Sequence, residues 1–527
     1  MLITSSDFAR VAYAPKAVWA RMTLGPEPDE NPGARHTERV RYNQAKERFG
    51  EWVTNELVGA RDLTPLFDLS WPEANDCYES IAREALGNGE AVLGSHFRSG
   101  DCVAAPDVLV PESGGRVRLL LVDCTTEPNK DRCALKALFT RSVLEKNGFT
   151  VSGIRLFGFN ASYVEGESDR SELFQEINLA EKVAHYEPEV SGRLEQLEAL
   201  KHQTEPPVRL DEYCPRIDDA ALPQAHVFLL KNGWKRAAKA LAAGITELKD
   251  IPLDDTIRDN HRIQIQSTRS GHRHIDTERL SEFIGRLRYP LQSLDFETIS
   301  TPVPMFERSR PHQTIPVQFS LHTREAAGQE LVRCHFIHRA PSDPRPDLIQ
   351  ALRKNLRPEG SILVYSKGCE ENVLKELGRD FPEFKDFSDR VVPRLVDLYA
   401  VFRGFMMYDP AQQGKTRFKK VLDCFAGRSY EGLEIKNGEM ATYEYQRVTH
   451  ETMGPVAQEE RDTVYRRLEI YCDQDSWGQH ELVDVILQLS GARIGLPAKG
   501  LSLDVATALQ RAAPARELLA GGPTQSR

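Results

Sequence analysis

At 527 residues, with 40% hydrophobic and 28% charged residues, the chain exceeds one core and has the ordinary balance of a globular protein of two or three domains. No apolar run approaches the ~20 residues that span a bilayer, and the N-terminus lacks the basic-then-apolar pattern of a secretory signal, so no membrane role and a cytoplasmic location are expected. The net charge of −10 argues against a broad basic coat for nucleic acid, and nine cysteines without a Cys-x-x-Cys pair argue against a zinc ribbon or a disulfide framework.

Residues 1–190 mix helical and strand patterns. Helical spacing is expected over Arg41–Leu57, Cys133–Lys146 and Leu173–Tyr186, and strands over Asp101–Ala105, Val117–Val122 and Gly153–Phe159. Pro106-Asp107 follows the first strand, and Val117–Val122 leads into Asp123-Cys124-Thr125. This order resembles a RecB-like PD-(D/E)XK nuclease domain. Asp107 and Asp123 match the two carboxylates of that pattern, but Thr125 stands in the place of the lysine that positions water and offsets charge, and threonine carries no charge. Lys130, on the following loop, is a displaced alternative. A second register places Val122 and Cys124 on the acid and lysine positions and also loses the site. Thr140 stands where such relatives often place glutamine. The resemblance therefore implies a degenerate nuclease domain with a DNA-binding, scaffolding or structural role. Relatives of this kind also carry an iron–sulfur cluster on four cysteines. Here the first phrase reads Tyr13-Ala14-Pro15-Lys16, and only Cys214 remains in Glu212-Tyr213-Cys214-Pro215, so no cluster is expected.

Residues 191–285 carry Pro and Asp between short helical pieces, Trp234–Ala243 and Asp276–Leu287, and read as a helical connector. From 286 to 490 strands and helices alternate, the pattern of an α/β domain. Leu294-Asp295-Phe296-Glu297-Thr298 reads as a short strand. Side chains two apart share a face, so Asp295 and Glu297 project together while Leu294 and Phe296 pack behind. Two adjacent buried carboxylates repel and are costly to desolvate, and a hard divalent cation such as magnesium removes that cost. Gly360–Tyr365 is an apolar strand, and Glu370 follows it at the turn into a helix over Glu371–Leu377. Asp397 leads from Arg394–Tyr399 into another helix. On a helix from Glu459 to Leu489, Tyr471 and Asp475 are four apart and share a face, while Asp473 is expected to be solvated. Gln318 and His322 are expected to complete sheet packing. Residues 491–527 lose periodicity and read as a frayed tail.

The order Asp295-x-Glu297, an acid after a later strand, and Tyr471-x-x-x-Asp475 resembles the DEDD exonucleases, the DnaQ-like branch of the ribonuclease-H-like fold. The middle motif of that family is Asn-x-x-Phe-Asp; the corresponding residues here are Ser366, Cys369 and Glu370, so each position is altered. Glu370 is favoured as the direct ligand over Asp397. The phrases Tyr289-Pro290-Leu291, Ile315–His322 and Phe418–Leu422 look like an uncharacterised bacterial family that joins a RecB-like region to such a domain.

These resemblances imply a fold of three parts: a degenerate PD-(D/E)XK-like domain, a helical connector and a ribonuclease-H-like mixed-sheet domain. They imply two magnesium or manganese ions about 4 Å apart, held by Asp295, Glu297, Glu370 and Asp475, with Asp295 bridging and Tyr471 orienting the attacking water. Arg417, Lys419 and Lys420, and on the loop after the first strand Arg308, Arg310 and His312, are candidate phosphate contacts. The expected activity is 3′–5′ exonucleolytic hydrolysis of DNA in preference to RNA, with protein partners in repair or defence. The alternatives are a non-catalytic nucleic-acid-binding or assembly subunit, and a ribonuclease-H-like endonuclease.

Overall fold

The placement of the acids depends on where apolar runs become strands. The computed structural model describes residues 2–25, 43–53, 55, 60–63, 71–207, 212–215, 217–218, 222–452 and 454–494. The tail expected over 491–527 lies, after residue 494, outside the described residues. The protein is mixed α/β and divides into two compact units: Met1–Ala221 with Ser300–Gln313, and Leu222–Ile299 with Thr314–Arg527. Residues 191–221, read from sequence as connector, thus pack with the first unit, and 222–285 with the second. Among the described residues, no helix is long and apolar enough to cross a membrane.

The first unit is built on a six-stranded sheet in the order Arg61–Asp62, Val92–Leu93, Val108–Glu112, Arg116–Val122, Thr150–Phe159 and Phe174–Ile177. Val108–Glu112 and Arg116–Val122 form an antiparallel hairpin. The helix Lys130–Lys146 then carries the chain to Thr150–Phe159, which runs parallel to Arg116–Val122. The helical expectation over Leu173–Tyr186 is corrected. Its first part is the edge strand Phe174–Ile177, paired antiparallel with Leu156–Phe159, and the helix begins only at Ala180. Burial of Phe174 against Phe49, Trp52 and Phe159 overrides the helical spacing.

Glu212 accepts the backbone amides of Lys16 (3.0 Å) and Ala17 (2.9 Å) at the start of the helix Pro15–Leu24, and the Lys16 ammonium pairs with Asp218 at 3.0 Å. A buried lysine is tolerated here because its charge is matched and its donors are used. The insert Ser300–Gln313 completes this unit. Glu165 N–H donates to Ser309 O at 3.0 Å, Arg308 N–H donates to Glu165 O at 2.8 Å, and His312 meets the edge of Phe159 at 5.7 Å.

The second unit carries a five-stranded sheet in the order Val332–Ile337, Ile315–Arg324, Leu291–Ile299, Ser361–Val364, Leu395–Asp397. The first three strands are antiparallel and the last two join in parallel. Ile315–Arg324 is buried along nine of its ten residues, so its sequence cannot alternate. The strand Leu291–Ile299 does alternate at its end. Leu294 and Phe296 pack into a core with Phe319, Leu321, Leu348, Leu374 and Leu377, and Asp295 and Glu297 take the opposite face. The pairing register shifts between Glu297 and Thr298, where Pro316 stands opposite Thr298 and has no N–H to give.

The carboxylate face is covered by the 33-residue helix Gln458–Ser490. Gln318 donates to Leu468 O at 3.0 Å and Gln479 to Leu294 O at 3.4 Å, which ties this helix to two strands. Gly478 lies inside it, at a propensity cost of about 1 kcal/mol. A Cβ there would stand 2.7 Å from Leu422 and 3.0 Å from Phe418, so glycine lets the helix Phe418–Ala426 lie close against it.

Residues 222–272 form a small helical module with its own core of Val227, Leu230, Ala237, Ala240, Leu248, Ile251, Ile257 and Ile265. Gly414, at φ 74°, seats the 409–417 loop against it: a Cβ would lie 2.4 Å from Leu229 O. Gly414→Ala is therefore expected to lower stability by roughly 2–3 kcal/mol, because strain and a backbone clash add. Thermal unfolding read by circular dichroism measures it; an unchanged midpoint would mean that the loop is not held there.

Candidate metal centre

Three segments supply the carboxylates: Asp295 and Glu297 from the strand, Asp475 from the covering helix, and Glu370 from the first turn of the helix Gly368–Asp380, with Asp475, Glu297 and Glu370 all close enough for their charges to bear on Asp295. The structure thus places Glu370 inside a helix, not at the turn preceding it. One oxygen each from Asp295 and Glu297 and the Cys472 Sγ all lie within 4.8 Å of one another. The Cys472 thiol donates to Asp295 Oδ2 at 3.6 Å.

The electrostatics are those of a crowded anionic site. Burial, and then the charges of Asp475, Glu297 and Glu370, hold the Asp295 carboxyl well above the usual carboxylate range. Burial and Asp475 do the same to Glu297, opposed by Lys419. Asp475 is pushed up to about 6 by burial, with Tyr430, Lys419 and Tyr471 pulling it back. Glu370 is pushed up to about 8, chiefly by burial, with Asp397 adding repulsion and its own backbone amide opposing. Glu370 is 5% exposed and its Oε2 has no hydrogen-bond partner. An orphaned buried carboxylate oxygen costs of the order of 1–3 kcal/mol or more unless something else binds it.

Asp397 stands differently. Its Oδ1 accepts the backbone amides of Ser366 and Tyr399, each at 3.0 Å. It ties together the ends of two parallel strands and helps hold Ser366 at φ 71°.

A second phenol, Tyr430, donates to Asp475 Oδ1, and Tyr471, one helical turn before Asp475, stands beside it. Their rings meet edge to face at 6.1 Å. Burial and the neighbouring acids raise both phenols, so each remains a proton donor. The Lys419 ammonium lies 4.5 Å from the Tyr430 ring centre and 4.6 Å from that of Tyr471, and donates to Lys436 O. Burial lowers the Lys419 pKa, and the three acids Asp475, Glu297 and Asp295 oppose that fall. Gly438, which opens the helix Gly438–Thr449, approaches closely enough that a Cβ would stand 3.9 Å from Glu297 Oε2.

Other expected residues fall elsewhere. Asp473 is corrected: it pairs with Arg333 at 2.6 Å and stands 3.6 Å from His322, because its helix face turns toward the sheet. His322 and Gln318 are buried in that sheet, as expected for packing residues. Lys420 pairs with Asp423 at 3.5 Å, and Arg417 is exposed at the head of the Phe418–Ala426 helix. Arg308, Arg310 and His312 belong to the first unit. There, Asp107 accepts the Val122 amide at 2.9 Å and pairs with Lys46 at 2.7 Å. Asp123 accepts the Thr125 hydroxyl at 2.6 Å and stands 3.5 Å from Arg132. The cation that meets Asp107 comes from an upstream helical segment; Lys130 is an exposed first residue of the helix Lys130–Lys146.

Tyr430 and Cys472 were missed in the sequence. Tyr430 sits in an aperiodic stretch, Gly427-Arg428-Ser429-Tyr430, and only tertiary packing brings it to Asp475. Cys472 had a signal, since it adjoins Tyr471, but a lone cysteine beside a tyrosine has no distinctive spacing.

Residues 292–417 match a family described as a domain of unknown function, DUF2779. The C-terminal region thus carries a domain of an uncharacterised family. The matched stretch includes Asp295, Glu297, Glu370 and Asp397 and ends before Lys419, Tyr430, Tyr471 and Asp475. No curated protein and no solved structure matches the chain.

Proposed function

We propose that the second unit is a metal-dependent nuclease of the DEDD type on a ribonuclease-H-like fold, a reading supported by its sheet of three antiparallel strands extended by two parallel ones. The observation that carries the reading is the Glu370 Oε2, buried without a partner, beside acids that raise one another's pKa. Hard oxygen donors and an orphaned carboxylate are a fitting set for magnesium or manganese. Asp295, Glu297, Glu370 and Asp475 would hold the ions. When bound, two such ions supply an activated water and charge stabilisation at the leaving oxygen of a phosphodiester.

The chain's own residues do the rest. Tyr430 holds the Asp475 carboxylate in one orientation, and the raised phenol of Tyr471 would orient water as a donor without acting as a base. Lys419, fixed over both rings, presents positive charge toward the acids and the phosphate they would meet. The eroded pair in the first unit, with Asp107 occupied by Lys46, supports a binding or structural role for that unit.

The test is digestion of labelled single-stranded DNA and RNA with magnesium or manganese. Linear strands shorten from the 3′ end, closed circles survive, and EDTA stops the reaction. Cleavage of circles would replace exonuclease with endonuclease; inert protein on every substrate would sink the reading. Tyr430→Phe is expected to lower turnover roughly tenfold, since supporting partners of metal ligands are commonly worth 10- to 100-fold. Turnover equal to wild type would show that Tyr430 does not position Asp475.

A further inference from the structure

The small helical module of the second unit carries a surface that the acids do not explain. A single helical turn at Val227–Leu229 leads through Asn232, at φ 52°, and Gly233 into the helix Trp234–Ala242. A Cβ on Gly233 would stand 2.4 Å from the Leu230 side chain, so glycine is needed for this tight reversal. Ala237 and Ala240 face the module's core. Lys235 and Lys239, one turn apart, face solvent. Among the described residues neither has an acid within ion-pair reach, whereas Arg236 on the flank is held by Asp254 at 2.9 Å. Trp234 is 41% exposed and packs on Phe228 at 4.8 Å.

Residues 222–272 hold eight Lys and Arg against five Asp and Glu, in a chain whose net charge is −10. Positive charge is therefore concentrated in this module while the chain as a whole is acidic.

The same hairpin is joined to the candidate centre by short contacts. Lys231 Nζ bonds the Thr416 hydroxyl, Tyr365 donates to Thr416 O at 2.7 Å, and the next residue, Arg417, heads the helix that carries Lys419. Lys415 and Arg417 are exposed on either side of Thr416.

We infer that this hairpin is a docking surface for the sugar–phosphate backbone of a nucleic acid, with Lys235 and Lys239 on phosphates and Trp234 against a sugar or base face. Lys415 and Arg417 continue the cationic track, and their leading a strand end to the acids rests on the proposed nuclease reading. The docking itself does not need that reading, because phosphate contacts of this kind are independent of metal and of sequence.

The experiment is fluorescence anisotropy of labelled single-stranded and duplex oligonucleotides with the full chain in EDTA, across a salt series. Lys235→Gln with Lys239→Gln is expected to weaken binding at least tenfold at low salt. It should also reduce the slope of log K against log salt by about 2, since each phosphate contact contributes ~0.9. Trp234→Ala is expected to lower affinity and leave the slope unchanged. Wild-type affinity and slope in the double variant, with an unaltered melting curve, would overturn the inference, as would failure of the wild-type chain to bind either oligonucleotide. Binding lost in the double variant while the wild type hydrolyses nothing leaves the docking surface standing and removes the nuclease reading. Hydrolysis by the wild type with unchanged binding in the double variant does the reverse.

Discussion

Asp295→Asn is expected to abolish hydrolysis, with turnover falling on the order of 10³-fold or more, and to remove high-affinity manganese binding. The expectation follows from the position of this side chain. It lies beside Glu297 and Cys472, and the charges of Asp475, Glu297 and Glu370 all press on it. An acid that would hold a divalent cation is poorly replaced by an amide, which offers one neutral oxygen and an N–H turned against the cation. The change is nearly isosteric, so folding is spared. Removing one of several repelling charges should raise the melting temperature of metal-free protein. Isothermal titration with manganese, alongside digestion of a labelled strand, reads both effects. Retained turnover in Asp295→Asn would remove this acid from the reaction.

The second large effect is on stability, and it depends on pH. The Glu370 carboxyl is pushed up to about 8 from its ordinary 4.5, and that of Asp475 to about 6 from 3.8. An acid whose pKa is higher folded than unfolded favours the fold in its protonated form. That contribution is complete below the unfolded value and is lost as pH rises through the folded one. Metal-free protein is therefore expected to lose stability between about pH 4 and 6 through Asp475, and between about 4.5 and 8 through Glu370. Manganese should reverse the loss, and by more at pH 8 than at pH 6, because fewer protons must leave as the ion binds.

Glu370→Gln should flatten this dependence. It is expected to raise metal-free stability at pH 8 by roughly 1–3 kcal/mol and to remove most of the gain on adding manganese. Scanning calorimetry in EDTA and in manganese across the pH range tests it. Destabilisation by Glu370→Gln at pH 8, or a flat wild-type profile, would mean that Glu370 has a partner other than a cation.

The parts of the site that follow short periods were legible in the sequence. Alternation over Leu294–Glu297 placed both acids on one face, and the four-residue spacing of Tyr471 and Asp475 placed them on one helix face. Glu370 was identified through the strand before it, although the helix begins earlier than its apolar pattern suggests. What the sequence hid depends on long-range packing. Tyr430 reaches Asp475 from an aperiodic loop, and Asp473 turned out to be paired because Arg333 and His322 approach from the sheet. Phe174–Ile177 became a strand because an edge was available beside Thr150–Phe159. In the first unit the acid pair was legible, but Lys46, which meets Asp107, lies far upstream and fits no motif spacing.

The insert Ser300–Gln313 has a consequence for how the molecule is made. Ser309 and Arg308 exchange backbone bonds with Glu165, yet they emerge from the ribosome only after the strand Leu291–Ile299. At about 5–20 residues per second, the N-terminal unit must wait some seconds for its last piece after residue 221 has been synthesised. Vectorial folding is thereby interleaved: maturation of the earlier unit is timed by translation of the later one, and a nascent chain stalled between them would expose the Val303 contact on the aromatic cluster around Phe49 and Phe159.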